Sequence, residues 1–351
     1  MIHVGVDLHH TNSYVRAFTD AGELLPGQRI YHNEMDRFWQ YLAPFGPEPK
    51  RVVFEATSNA RWLYHLLQTD PTVEAVAVTP HKVKIIADTM VKTDKIDATV
   101  LAMLSYKDAL PRAWLPDAAT EQLREWTRHR VALVRLRTRA KNQVNAALIR
   151  QGVLRPHGDI FGPRGRQWLA ELPLPEVMRL QVDHWLGLID EYDRRIKAVE
   201  VKLYRELALQ ERWAADIALL RTMPGIGPVT ALTILAELGD YRRFRRRSAV
   251  SCFAGLIPSS KRSDQSCRYG SITKRGSRAL RSILVEVSIN AAARVPRYGA
   301  LYRKLKAARK SGNVGKVAVA RQMLEDAWTM LIKREPFRFM PVQAENLTQV
   351  G

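Results

Sequence analysis

The sequence predicts an α/β domain built on a mixed sheet, followed by a longer, mainly helical and strongly basic region. Three observations lead there. Over residues 1–115 short β-rich runs alternate with helical stretches. From residue 117 the apolar spacing becomes helical over long uninterrupted runs. The charge divides at the same place: residues 1–115 carry 12 basic and 13 acidic side chains, residues 116–351 carry 43 and 22.

The elements follow in order. Residues 2–8 (IHVGVDL) form a buried strand ending in an acid, 13–18 (SYVRAF) alternate like a second strand, and 27–32 (GQRIYH) like a third. TDAGE at 19–23 has the chemistry of the hairpin turn between the last two. A helix is expected over Glu34–Leu42, a strand over 51–56 (RVVFEA), a helix over Asn59–Leu67 and a strand over 73–78 (VEAVAV) that Pro80 stops. Lys82–Tyr106 reads as helical with a break near Lys92–Thr93. Residues 117–151 contain neither Gly nor Pro and read as one long basic helix. Residues 152–180, with four of each, read as a loop or linker. Val182, Trp185, Ile189, Tyr192, Ile196, Val199 and Leu203 recur at spacings of 3 and 4, the seam of a coiled coil. Its partner is either the helix at 117–151 of the same chain or a second copy. Four segments result: 1–115, 116–215, a helical domain at 216–335, and a tail at 336–351 read as loose.

Composition limits the function. The chain has 351 residues, 46% hydrophobic and 26% charged, enough apolar content to exclude a mainly disordered protein. The net charge of +20 points to a polyanionic partner. Residues 241–310 concentrate it, with 19 basic side chains against Asp264 and Glu286 alone. Two cysteines, Cys252 and Cys267, exclude a disulfide scaffold and a cysteine-rich zinc site, and fit a reducing cytoplasm. The first apolar stretch carries Asp7 and lacks the layout of a secretory leader, and no run is long enough to span a bilayer.

Four carboxylates stand out. Asp7 ends the first strand, Glu55 ends RVVFE, and Asp94 and Asp97 in KTDKIDA lie on one helix face. Acids at neighbouring strand ends plus a pair on an adjoining helix are placed to hold divalent metal for phosphoryl transfer, and oxygen ligands favour Mg²⁺ or Mn²⁺. Singly, each also reads as a cap or a solvated surface acid. MPGIGPVTALTI (223–234) resembles a helix-hairpin-helix whose glycine turn presents backbone N–H groups to a DNA phosphate, and equally an ordinary tight turn. The segment 254–281 is read as a polar, basic loop whose Ser259, Ser260, Ser263, Ser266 and Ser271 are all of the type that can attack phosphorus. Residue chemistry does not choose among them.

Together these motifs resemble a known family. A DLH strand with Asp7, FEAT with Glu55, KTDKIDA, PGIGPVTALTILAELGD, AGLIPSS and ITKRGSRALR occur in the order of the DEDD transposases of bacterial insertion sequences, whose DNA-invertase relatives share the architecture. The resemblance covers roughly residues 1–335. It implies an RNase H-like, RuvC-like N-terminal domain, a coiled-coil insert and a mainly α transposase domain with a helix-hairpin-helix. It implies that Asp7, Glu55, Asp94 and Asp97 form a catalytic Mg²⁺ (or Mn²⁺) tetrad. The family's serine follows the proline of its GLxP motif by five residues, which is Ser263 counted from Pro258. Family members usually carry Gly next; this chain has Asp264, which keeps Ser260 and Ser266 as alternates.

The implied activity is RNA-guided cutting and rejoining of DNA by a transposase or recombinase; a metal-dependent, structure-specific nuclease is the alternative. The implied partners are donor and target DNA, an element-encoded guide (bridge) RNA, and further copies of the chain in a homodimer or a tetramer built as a dimer of dimers. The implied location is the bacterial cytoplasm at the nucleoid. Arg242, Arg243, Arg245, Arg246, Arg247, Lys261, Arg262, Arg268, Lys274, Arg275, Arg278 and Arg281 are the expected nucleic-acid contacts.

Overall fold

The computed structural model describes residues 1–338 except 58, 87–92, 157, 208–209, 264–265 and 309–310, with the backbone alone at 206–207, 260–263 and 266–269. The chain forms two compact units, Met1–Leu115 and Pro116–Gly351.

In the first unit, β1 (Ile2–Leu8), β2 (Asn12–Phe18) and β3 (Gln28–Tyr31) are followed by α1 (Asp36–Leu42), β4 (Lys50–Glu55), α2 (Ala60–Leu67), β5 (Val73–Val78), α3 (Pro80–Ile86) and α4 (Asp94–Tyr106). The sheet order is β3-β2-β1-β4-β5. β1 pairs antiparallel with β2 and parallel with β4, and β4 pairs parallel with β5, so the sheet is mixed. β1 lies at its centre, and successive side chains point to opposite faces. Ile2, Val4, Val6 and Leu8 join Phe38, Leu42, Leu63 and Leu67 of α1 and α2 in one core. Val53, Val76 and Val78 meet Val83 of α3 and Leu101 and Leu104 of α4 on the opposite face. A central strand covered on both sides explains why IHVGVDL is apolar almost throughout.

The second unit contains α5 (Ala118–Arg150), α6 (Pro163–Glu171), α7 (Glu176–Lys202), α8 (Glu211–Arg221), α9 (Pro228–Leu238), α10 (Arg247–Ala254), β6 (Pro258–Ser263), β7 (Ser266–Ile272), α11 (Arg278–Arg294), α12 (Pro296–Ala307) and α13 (Gly312–Lys333). α5 and α7 run antiparallel, since Arg130 pairs with Glu200 at 2.7 Å and Arg137 with Asp193 at 2.5 Å. The seam is filled within the chain. Val182 and Ile189 pack with Val144 and Leu148 of α5 and Leu169 of α6, and Ile196, Val199 and Leu203 enter the larger core with Leu123 and Leu133. The PGIG segment separates α8 from α9, and Gly225 adopts φ +92 there. A Cβ at Gly225 would stand 3.3 Å from the Ala291 Cβ of α11. α9 is buried from Val229 to Leu238 and is held by α5: Arg124 donates to the Ala236 and Glu237 carbonyls, and Arg128 forks onto the buried Glu237 carboxylate at 2.7 and 2.9 Å.

Three expectations are corrected. The linker read at 152–180 contains α6 and the start of α7, because Pro163 and Pro175 occupy the beginnings of helices, where a missing N–H costs nothing. The loop read within 254–281 contains an antiparallel ribbon, β6–β7, with Ser260 opposite Tyr269 and Ser263 opposite Ser266. Its polar side chains hid an alternation that only apolar residues make visible. The tail is anchored only at its start, and from residue 339 it lies outside the described residues: Phe337 is buried, its N–H donates to Thr222 Oγ1 at 2.9 Å, and its ring lies 6.0 Å from that of Tyr298. Among the described residues no helix is long and apolar enough to cross a membrane.

Candidate functional site

The first unit brings its acids together by way of a glycine. His3, Gly5 and Asp7 share one face of β1. At Gly5 a Cβ would lie 2.0 Å from the Ala98 carbonyl oxygen and 2.6 Å from the Ala102 nitrogen, so α4 rests directly on the strand backbone. His3 Nδ1 is 2.8 Å from Ser105 Oγ, near the far end of α4. α4 therefore runs opposite to β1 and sets its first turn beside the end of the strand. Thr93 caps that turn, its Oγ1 accepting from the Ile96 N–H at 3.3 Å. Asp94 and Asp97 in that turn are also favoured by the helix dipole.

Asp7 and Asp94 meet at His9. Its Nε2 lies 3.1 Å from Asp7 Oδ2 and 3.1 Å from Asp94 Oδ1. One ligand atom from each of the three lies within 4.8 Å of the others, and Asp7 and Asp94 are half-buried. Arg29 of β3 donates to the other oxygen of Asp94 at 2.6 Å and to Asn12 Oδ1 at 3.0 Å. Burial pushes the Asp94 carboxyl up, but hydrogen bonds from His9 and Arg29 outweigh it and hold the group below the ordinary carboxylate value. Glu55 ends β4 one residue beyond the Val6–Phe54 pair, at the level of Asp7 in the parallel register. Asp97 is half-buried, and its N–H donates to the Thr93 carbonyl at 2.9 Å. Two carboxylates and an imidazole nitrogen at this separation are a donor set that fits a divalent cation.

The expected nucleic-acid contacts divide. Arg242, Arg245, Arg246, Lys274, Arg275 and Arg278 are exposed. Arg247 is exposed but paired with the buried Asp326 at 2.6 Å. Arg243 points inward: its guanidinium lies 4.2 Å from the Phe244 ring centre and 4.8 Å from that of Phe253. Burial, with Arg124 nearby, lowers it to about 10. Arg281 donates to the carbonyls of Ala254, Gly276 and Arg275, fastening the end of the ribbon to α10. Ser263 is the last residue of β6; its side chain, with those of Ser260, Lys261, Arg262, Ser266 and Arg268, lies outside the described residues. Asp264 lies outside them altogether.

Sequence reasoning missed His9, Arg29 and Asn59. His9 stands two residues after Asp7, a signal that was available. Arg29 comes from another strand and has no local signature. Asn59, whose Nδ2 donates to the His9 carbonyl at 2.6 Å, reads as an ordinary residue at a helix start.

Comparison with known proteins finds two matching stretches. Residues 4–151 match the profile of a family described as a transposase, of the DEDD type named for IS110. Residues 217–303 match the profile described as the transposase IS116/IS110/IS902 family. A Sinorhizobium fredii protein named as a transposase, y4rJ, is 31% identical over 259 residues, covering 68% of this chain and 64% of that protein, so the chain spans just under two thirds of that relative. A Pseudomonas aeruginosa protein whose name places it among family 20 transposases is 28% identical over 95% of this chain and 98% of its own length. The pilin gene-inverting protein of Moraxella lacunata is 26% identical over 70% and 68%. A chain with a mixed sheet bearing clustered carboxylates and a basic helical unit is thus similar to transposases over both matched stretches. Both matched stretches are similar to insertion-sequence transposases of the IS110 group.

Proposed function

We propose that the chain is a DNA transposase of an insertion sequence, cutting and rejoining DNA through a serine nucleophile assisted by a metal-binding acidic cluster. The observation that carries this reading is the convergence of Asp7 and Asp94 on one point, with Glu55 level with Asp7 on the neighbouring strand. The sheet order, with its antiparallel half β3-β2-β1 and its parallel half β1-β4-β5, supports an RNase H-like, RuvC-like fold. Asp7, Glu55, Asp94 and Asp97 hold Mg²⁺ or Mn²⁺. Such an ion, when bound, stabilises charge on a scissile phosphate.

Ser263 is the nucleophile. Its oxygen bonds to a DNA phosphorus and loses its proton, the 3′ oxygen leaves and gains one, and the strand is left joined to serine. Attack on that phosphoserine by a 3′-hydroxyl reverses the exchange and rejoins DNA. The exposed Arg242, Arg245, Arg246, Lys274, Arg275 and Arg278 contact nucleic-acid phosphates. The turn before α9 offers further N–H donors. An element-encoded guide RNA reads sequence by pairing, so the protein's contacts are to backbone and shape. The working assembly is a homodimer or a tetramer built as a dimer of dimers, at the bacterial nucleoid.

A covalent-adduct trap tests the reading. The gene is expressed with its native flanking DNA, cells are denatured, and DNA that stays on the protein is measured for wild type, Ser263→Ala and Glu55→Gln. Adduct in wild type that both variants lose supports the mechanism. Adduct that survives Ser263→Ala moves the nucleophile, to Ser260 or Ser266 first. The acidic cluster lies wholly in the first unit, which favours, as the second reading, a nuclease using water. That reading expects metal-dependent cutting, lost in Glu55→Gln and kept in Ser263→Ala, with no adduct.

A further inference from the structure

The geometry points to His9 as a ligand of the metal centre in its own right, making the site one of mixed nitrogen and oxygen donors that takes Mn²⁺ in preference to Mg²⁺. The inference rests on the metal reading above and adds to it a residue outside the acidic tetrad.

Distance is the first argument. Neighbouring ligands of an octahedral ion with bonds of about 2.1 Å lie about 3 Å apart. His9 Nε2 stands 3.1 Å from Asp7 Oδ2 and 3.1 Å from Asp94 Oδ1, an equal approach to both. A neutral or protonated imidazole offers at most one hydrogen at Nε2. One hydrogen between two carboxylate oxygens serves each poorly, whereas a cation accepts all three atoms at once.

Positioning is the second. His9 follows β1 directly, and its backbone is fastened from two sides. Asn59 Nδ2 donates to the His9 carbonyl at 2.6 Å, and Asn59 Oδ1 in turn accepts from Thr57 Oγ1 at 2.7 Å. The next carbonyl, that of His10, accepts from His32 Nδ1 at 3.1 Å, and Ser13 Oγ donates to His32 Nε2 at 2.8 Å. These contacts fix the backbone that carries the His9 ring. The ring is 45% exposed, so an ion reaches Nε2 from solvent.

Chemistry sets the preference. Imidazole is a softer donor than carboxylate or water. Mg²⁺ is a hard ion that keeps to oxygen, while Mn²⁺ accepts nitrogen as well.

The test uses the full-length protein and Mn²⁺ as the probe. Mn²⁺ affinity is read from loss of the free-ion paramagnetic resonance signal, Mg²⁺ affinity by competition, and nitrogen ligation from ¹⁴N modulation of the bound-Mn²⁺ echo. His9→Ala, His9→Gln and Asp7→Asn are compared with wild type, each with its thermal unfolding recorded. Wild type is expected to bind Mn²⁺ more tightly than Mg²⁺ and to show ¹⁴N modulation. Both His9 variants are expected to fold normally, lose the modulation and lose Mn²⁺ affinity by at least the roughly 10-fold that even an outer partner commands. Their Mg²⁺ affinity changes less, so the preference narrows. Wild type that binds Mn²⁺ without ¹⁴N modulation, with binding lost in Asp7→Asn but kept in His9→Ala, overturns the role of His9 and leaves the acidic centre standing. Folded wild type that binds neither ion overturns both.

Discussion

Replacing Gly5 by Ala tests how the acidic centre is assembled. The added Cβ would stand 2.0 Å from the Ala98 oxygen and 2.6 Å from the Ala102 nitrogen, both backbone atoms of α4 that no rotamer change removes. Ordinary contact begins at 3.4 Å, so α4 has to retreat from β1 by about 1.4 Å. Overpacking of this kind costs about 1–3 kcal/mol. The retreat also draws the first turn of α4, with Asp94 and Asp97, away from Asp7, and a misplacement near 1 Å costs on the order of 100-fold in a reaction that depends on geometry. The control is Gly187→Ala in α7, where nothing lies within 4 Å of the added carbon. An Ala there gains about 0.5–1 kcal/mol of helix propensity. Urea unfolding measures both, and Mn²⁺ titration measures the site. Gly5→Ala is expected to be less stable and to bind the ion more weakly, while Gly187→Ala is unchanged or slightly more stable. A Gly5→Ala protein with wild-type stability and wild-type Mn²⁺ affinity would refute the argument that the bare strand backbone seats α4.

Arg128→Met removes the partner of a Glu237 carboxylate that is 1% exposed, and the unfolding free energy from denaturant titration is expected to fall by about 3–5 kcal/mol, the cost of a buried charge left alone. Burial raises the Tyr41 phenol from 10.0 to about 12. Between those values the folded chain keeps a proton that the unfolded chain has lost, so stability falls as pH rises through this window, and Tyr41→Phe is expected to flatten the slope of urea midpoint against pH. Arg245→Ala and Arg246→Ala are expected to weaken DNA binding uniformly across sequences and to reduce the salt slope by about 1 each without lowering Tm. Arg243→Ala is expected to lower Tm, because that guanidinium is packed between Phe244 and Phe253. Equal effects on Tm from all three would remove the distinction between inward and outward arginines.

The strands and helices of the first unit were legible because each is a local pattern. The apolar run at 2–8 and the alternation at 13–18 reflect burial that recurs along the chain with the period of the element, and Pro80 and Thr93 stand at helix starts, while Lys92 of the expected break lies outside the described residues. The ribbon at 258–272 was not legible, since serine, lysine and arginine carry no apolar alternation. The seam from Val182 to Leu203 was visible as a seam, but its partner was not. Heptad spacing records that one face is covered and says nothing of whose helix covers it. Arg243 and Arg281 looked like their neighbours in a basic stretch. Only the placement of Phe244, Phe253 and the Ala254 carbonyl separates them from arginines that face solvent.

By itself the sequence determined the class of each unit, the position of the acids at strand ends and a helix start, and the concentration of charge after residue 116. These follow from propensity, period and composition, which act over a few residues. The tertiary structure decided which groups meet. Asp7 and Asp94 are 87 positions apart and converge because a glycine lets α4 lie against β1. His9 joins them because the turn after β1 is fastened to Asn59 and His32. Contacts between elements depend on how closely their backbones approach, and spacing along a single chain does not encode that approach.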